Sequence, residues 1–242
     1  MTEEKQKSVK ILTHLQQEGS SLLGDLLWKR GLAIESVSVP RANLQEINPL
    51  QDDLLVIMGG PIGVYQADDY PFLKTEIDIV KARMKAKKPT MGICLGAQIM
   101  AAAMGANVYQ GAAGKELGWH AISVNEDGKQ TPARHLDAPL TGMFHWHGDT
   151  FDLPEDTRLL ASSAKYKNQI FARDNYAIGM QCHPEVYEKQ LEEWYVMFHR
   201  QITGPDAVKN VHDLRRDTRQ NIETLNKQAG LFFTEWLDQA GV

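Results

Sequence analysis

The sequence predicts an α/β protein in which helices flank an open, mostly parallel central sheet, with a helical extension at the C-terminus. Two observations carry this. Short apolar runs at 9–13, 33–39, 54–58 and 90–94, bounded by Gly, Pro or charge, alternate with helix-like stretches near 22–30, 72–87 and 97–104; that order builds parallel βαβ units. The runs are continuous rather than alternating in apolar character, which suits strands covered on both faces by crossover helices.

The middle of the chain changes character. Between 106 and 182 the runs fall at 121–125, 143–146, 159–162, 170–173 and 176–181, broken by Glu-Asp-Gly at 126–128 and Arg-Asp-Asn at 173–175. These breaks are turn chemistry, so this stretch is expected to be strand-rich and partly antiparallel. Beyond Pro184 a helical pattern runs through 188–201 until Gly204-Pro205 punctuates it. Val208, Val211, Leu214, Thr218, Ile222 and Leu225 then recur three or four apart, with Phe232, Phe233, Trp236 and Leu237 as a second apolar cluster. The expected division is one domain over 1–203 and a helical extension over 204–242 packed on it, with an oligomer or partner interface as the alternative use of that apolar face.

At 242 residues and 43% hydrophobic content the chain can bury one substantial core. A net charge of −5 leaves no basic surplus for phosphate backbones, so nucleic acid is not an expected partner. No apolar stretch reaches the length of a membrane span, and the polar start lacks a secretory apolar region, so a cytoplasmic protein is expected. Two cysteines are too few for a disulfide framework, which makes each a candidate for chemistry.

Three motifs hold the chemistry. Around Cys94 an apolar strand runs into a helix, with Gly92 and Gly96 two residues either side of the sulfur. A turn sharp enough to project its central side chain brings the flanking backbones together, and glycine at both positions permits it. The helix N-terminus favours the thiolate there. A buried structural cysteine in a tight turn is the plainer alternative. At 181–185, Gln-Cys-His-Pro-Glu ends a strand. If the chain is extended there, His183 and Glu185 share one side, and the carboxylate can orient the imidazole while the other ring nitrogen serves the thiol; a surface ion pair is the alternative. Cys182 faces the other way. Third, Met58-Gly59-Gly60-Pro61 follows a strand and offers backbone donors. The N–H groups of Gly60 and Leu95 are the natural pair to hold a tetrahedral oxyanion, or the segment is an ordinary strand-to-loop turn.

Gly-Gly-Pro at 59–61, Gly-Ile-Cys-Leu-Gly-Ala-Gln at 92–98 and Cys-His-Pro-Glu at 182–185, in that order and at similar spacing, resemble the class I glutamine amidotransferases. Glu-Leu-Gly-Trp at 116–119 and His-Trp-His-Gly-Asp at 145–149 are similar to the glutaminase domain of GMP synthetase and its freestanding relatives. The resemblance implies a flavodoxin-like sheet and a catalytic triad of Cys94, His183 and Glu185. It also implies glutamine hydrolysis through a γ-glutamyl thioester, with no cofactor and a small-molecule substrate. By the same likeness Gln98 helps hold the substrate, and the Trp146-His147-Gly148 loop grips its α-amino and carboxylate groups. His145 and His147 share a strand face, but no spaced carboxylate or further ligand accompanies them, so no metal site is expected.

Well-known members of this family pass ammonia to a synthetase domain or subunit. No Walker-type loop is present here, since Gly111-Ala-Ala-Gly-Lys115 lacks the spacing and the following Ser or Thr. Any amination partner is therefore expected to be a separate protein. The same triad also suits a peptidase or hydrolase acting on γ-glutamyl compounds, and a non-catalytic binding protein that retains the fold is the third possibility.

Overall fold

The computed structural model describes residues 6–203 and 209–242. The first five residues, Gly204-Pro205 and Val208 lie outside the described residues. The chain opens with β1 (Ser8–Thr13), α1 (Ser21–Lys29), β2 (Ala33–Ser38), β3 (Leu54–Ile57), α2 (Phe72–Lys85), β4 (Thr90–Ile93) and α3 (Leu95–Ala103). The middle holds β5 (Val108–Gln110), β6 (Glu116–His120), β7 (Ile122–Val124), a short α4 (Glu126–Lys129), β8 (Met143–His147), β9 (Asp149–Phe151), β10 (Arg158–Ser163), β11 (Ile170–Arg173) and β12 (Ala177–Met180). Three helices follow: α5 (Glu188–Met197), α6 (His199–Ile202) and α7 (Val211–Gln239).

Among the described residues, eight strands form the main sheet in the order β2-β1-β3-β4-β12-β11-β10-β7. The first five run parallel, and β11, β10 and β7 extend the sheet antiparallel. Two further pairs, β5 with β9 and β6 with β8, stand apart from it. The fold class is the one the apolar runs predict, with corrections in detail. Strand β2 is mostly exposed at the sheet edge, because Glu35, Ser36 and Ser38 interrupt its apolar run. Residues 126–128 form part of a helical turn rather than an open one, because the Asn125 side chain accepts from Gly128 N. Strands β5 and β9 are too short and polar for periodicity to reveal, and β6 holds no continuous apolar run. The chain leaves the sheet at Met180, so His183 is not on a ladder strand; its N–H donates instead to Phe144 O at 2.9 Å in an isolated bridge.

One topological fact places the site. Strands β1, β3, β4 and β12 are neighbours and parallel, so the loops leaving their C-terminal ends converge on one crevice, where open α/β sheets bind ligands. Glu18, Gly59-Gly60, Cys94 and His183 lie on those four loops.

The turn from β4 into α3 is the tightest part of the fold. Cys94 sits at φ 53°, ψ −110°, and its N–H donates to Met180 O at 2.7 Å. A β-carbon on Gly92 would stand 2.5 Å from the carbonyl carbon of Gly96, and one on Gly96 would collide with the carbonyl oxygen of Ile57. Helix α3 can press against β3 and β4 because Ala97, Ala101 and Ala103 keep its buried surface small.

Helix α7 closes the other face. Leu225, Phe232, Phe233 and Leu237 are fully buried in one cluster with Ile11, Leu23, Trp119 and Phe144. The indole of Trp119 donates to Thr218 Oγ1 at 2.9 Å, and Tyr195 meets the same hydroxyl at 2.9 Å. Arg30 ties α1 to the helix through Thr234 O at 2.7 Å.

Two stability measurements check these contacts. Gly96→Ala forces backbone apart and is expected to cost about 3 kcal/mol in urea unfolding; an unchanged midpoint would remove the close approach. Phe233→Ala is expected to cost about 3–5 kcal/mol, and a loss under about 1 kcal/mol would mean that α7 does not share the core.

Candidate active site

Cys94 lines a pocket of about 240 Å³ together with Gly60, Gln98, His183, Lys115, Trp146 and Asp149. The residue is only 7% exposed but opens into this space. As the first residue of α3, Leu95 has an amide that no carbonyl of its own helix can reach. Gly60 lies against it: a β-carbon there would meet Leu95 Cδ2 at 2.8 Å. Gly60 thus lies against the Leu95 side chain, and Gly60 lines the pocket beside Cys94.

The imidazole of His183 comes from the loop after β12. Its Nδ1 is 2.9 Å from Glu185 Oε1, and both residues are buried. Burial alone would drive protons off the ring, but the charge of Glu185 and contact with the Cys94 sulfur outweigh it and hold the pKa well above the ordinary value. Trp194 packs edge-on against the ring, with centroids 5.0 Å apart. The backbone of Glu185 is fixed by Leu22 N–H, which donates to its carbonyl at 3.0 Å from the first turn of α1. Cys182 is fully buried, and burial pushes its thiol well up.

Gln98 lines the pocket, but its amide Nε2 donates to Gln181 Oε1 at 3.0 Å, and Gln181 in turn donates toward Cys94 Sγ at 3.6 Å. Gln181 was not singled out in the sequence, although it directly precedes the Cys-His-Pro-Glu run. His14 was also missed. It joins Gly59 O at 2.9 Å to Glu76 at 3.1 Å, anchoring the glycine loop from behind. Burial opposes its charge, and Glu76 with the Gly59 carbonyl outweighs burial, so its pKa is raised. Nothing local in the sequence signals a pair 62 positions apart.

Trp146, His147 and Gly148 line the pocket as well. Both nitrogens of His147 are engaged within the protein, Nδ1 at 3.0 Å from Asp149 O and Nε2 at 3.1 Å from Glu116 Oε2. Trp146 and His147 end strand β8 rather than standing on a loop, and this strand end can offer a ligand the Trp146 ring and backbone groups more readily than the imidazole. The expectation that no carboxylate accompanies the two histidines is corrected by strand register. Pairing of β6 with β8 sets Glu116 opposite His147 and Gly118 opposite His145, so all three side chains share one buried face. His145 Nδ1 lies 3.3 Å from the same Glu116 oxygen but is poorly aligned for a hydrogen bond. Burial holds His145 down at about 4. Burial also opposes the Glu116 charge, yet the imidazoles beside it hold it well below the usual carboxylate range. The three ligand atoms lie within 4.8 Å of one another, close enough to surround a cation. Gln169 Nε2 also donates to that Glu116 oxygen at 2.7 Å. The cluster stiffens this wall of the pocket.

Glu18, unnoticed in the sequence, is a further carboxylate in the pocket. It is 6% exposed and sits against Gly59 beside His183. Among the described residues no helix is long and apolar enough to cross a membrane.

Comparison with known proteins agrees with these motifs. A glutamine amidotransferase-like protein of Salmonella typhimurium, YfeJ, is 27% identical over 210 residues, covering 85% of this chain and 87% of the relative. Gamma-glutamyl peptidase 5 of Arabidopsis thaliana is 28% identical over 59% of this chain and 57% of its own length. A glutamine-hydrolyzing GMP synthase subunit of Sulfurisphaera tokodaii is 29% identical over 55% of this chain and 68% of its own length. The crystal structure of a glutamine amidotransferase from Thermotoga maritima superposes with a TM-score of 0.82 at 28% identity, covering 99% of this chain and all of that one. The model of the family described as Glutamine amidotransferase class-I matches residues 20–199, three quarters of the sequence, and the chain therefore belongs to the class I glutamine amidotransferases.

Proposed function

We propose that the protein hydrolyses the side-chain amide of glutamine, or a closely related γ-glutamyl amide, with Cys94 as nucleophile, His183 as acid and base, and Glu185 as the group that orients the imidazole. The observation that carries this reading is a buried imidazole held by Glu185 at 2.9 Å on one nitrogen and in contact with Cys94 on the other side, in an open pocket.

In the first step the sulfur attacks the amide carbon, forming a C–S bond, and the oxyanion is met by the N–H groups of Gly60 and Leu95. The C–N bond then breaks as His183 gives its proton to the departing nitrogen. In the second step His183 takes a proton from water, hydroxide adds to the thioester carbon, and glutamate leaves as the thiolate returns. Gln98 acts by holding Gln181 beside the sulfur. The Trp146-His147-Gly148 segment forms the wall for the α-amino and carboxylate end, with Lys115 and Asp149 as the charges available to them. We assign this chemistry to residues 1–203 and a covering role to 204–242.

The similarity to a glutamine-hydrolyzing GMP synthase subunit supports a separate protein as ammonia acceptor, and the cytoplasm, which keeps both cysteines as thiols, as the place of action. The similarity to a γ-glutamyl peptidase favours a second reading, in which the same steps release an amino acid or peptide.

Cys94→Ala is expected to lower kcat for glutamine at least about 10³-fold while glutamine still binds by calorimetry. A glutamine-like electrophile is expected to label the wild type at Cys94, and labelling at Cys182 instead would overturn the assignment. Glu185→Gln should leave the imidazole in place but unanchored, lowering kcat roughly 10²- to 10⁴-fold; wild-type rates in that variant would remove Glu185 from the mechanism. Release of glutamate from γ-glutamyl dipeptides faster than from glutamine would select the second reading.

A further inference from the structure

The hydrolytic steps leave one carboxylate of the pocket unused. Glu18 follows β1, and the lack of a side chain at Gly59 lets it approach the reacting centre. The position where a Gly59 β-carbon would stand is 2.5 Å from Glu18 Oε2, 3.5 Å from Cys94 Cβ and 3.5 Å from His183 Cε1. That carbon of the imidazole lies between its two nitrogens. Since Nδ1 is held by Glu185, the proton for the departing amine is delivered from Nε2, and Glu18 shares the space over Gly59 with this ring and with Cys94. Among the described residues no group hydrogen-bonds the Glu18 carboxylate, which lines the pocket instead.

From this placement we infer that Glu18 is the specificity-determining residue for the leaving amine. Its negative charge accepts ammonia and neutral or cationic amines and disfavours a leaving group that carries its own carboxylate, as the amino acid of a γ-glutamyl dipeptide does. The inference rests on the thioester hydrolysis proposed above and narrows its substrate class to γ-glutamyl amides without an anionic leaving group. The glutamyl end has other charges to meet: Lys115 and Asp149 line the same pocket, with the Trp146-His147-Gly148 segment.

The carboxyl group can also lose this power. Burial raises its pKa to about 7, His183 and His14 oppose the rise, and Glu185 adds to it. Glu76 stands behind His14, and Cys94 lines the same pocket. With a raised pKa the group is neutral below that value and anionic above it, so discrimination grows as pH rises through about 7.

The test uses the full chain with two nearly isosteric substrates, γ-glutamylglycine and γ-glutamylglycinamide, which differ in one charge on the leaving amine. Their ratio of kcat/KM cancels the titration of Cys94 and His183, which both reactions share. At pH 8 the wild type is expected to favour the glycinamide, and Glu18→Gln is expected to shrink that preference about tenfold, the order expected for two charges interacting across a partly screened pocket. Circular dichroism establishes that the variant is folded. The wild-type ratio should also fall between pH 8 and pH 6, a result that needs no variant. An equal ratio in wild type and variant, or a wild-type ratio flat across that pH range, overturns the role. So does glutamine turnover with neither dipeptide substrate cleaved, because the subsite would then take ammonia alone. If Glu18 instead grips the glutamyl ammonium, Glu18→Gln raises KM equally for both substrates and leaves their ratio unchanged. Failure of the underlying hydrolysis has a different signature: no turnover of any γ-glutamyl amide and no electrophile labelling at Cys94.

Discussion

The contact of Gly92 with Gly96 is the constraint on which the site depends. It lets β4 turn into α3 without a side chain between them, and the turn places Cys94 in a backbone conformation that L-residues seldom adopt. The strain is held by neighbours on both sides. Ile57 presses on Gly96 from β3, and Met180 of β12 takes the Cys94 amide. The same strands deliver the glycine loop and the histidine, so the geometry that strains the cysteine also determines what surrounds it.

Carboxylates in this molecule take their character from position. Glu185 is committed to one imidazole nitrogen. Glu116 is saturated by donors and kept firmly anionic behind the pocket wall. Glu18 has no such donors and faces the cavity, where burial brings its titration near neutrality. The side chains are chemically alike, and the count of N–H groups pointed at each one separates an anchor and a strut from a group exposed to substrate.

Much of this is legible in the sequence. The glycines around Cys94 announce their turn because its steric demand is local, and the short apolar runs announce a parallel sheet for the same reason. Residues defined by long-range register are not legible. Glu116 joins His145 and His147 only because β6 pairs with β8, and β6, with Glu116, Gly118 and His120 alternating with its two apolar residues, holds no continuous apolar run. His14, just past β1, meets Glu76 of α2 from 62 positions away, and Glu18 reaches the centre through the absence of a side chain at Gly59. The extended conformation expected at 181–185 fails for a related reason. A single bridge to Phe144, set by the tertiary fold, takes over where the ladder stops.

The long last helix touches more than the core. Asn226 donates to Val186 O at 2.8 Å, one residue beyond Glu185, and Thr218 binds Tyr195, the neighbour of the Trp194 that packs on His183. The rear support of the imidazole is therefore lent by α7. During synthesis α7 emerges after every strand of the main sheet, so a nascent chain can complete its sheet and its cysteine turn while the histidine half still lacks its backing.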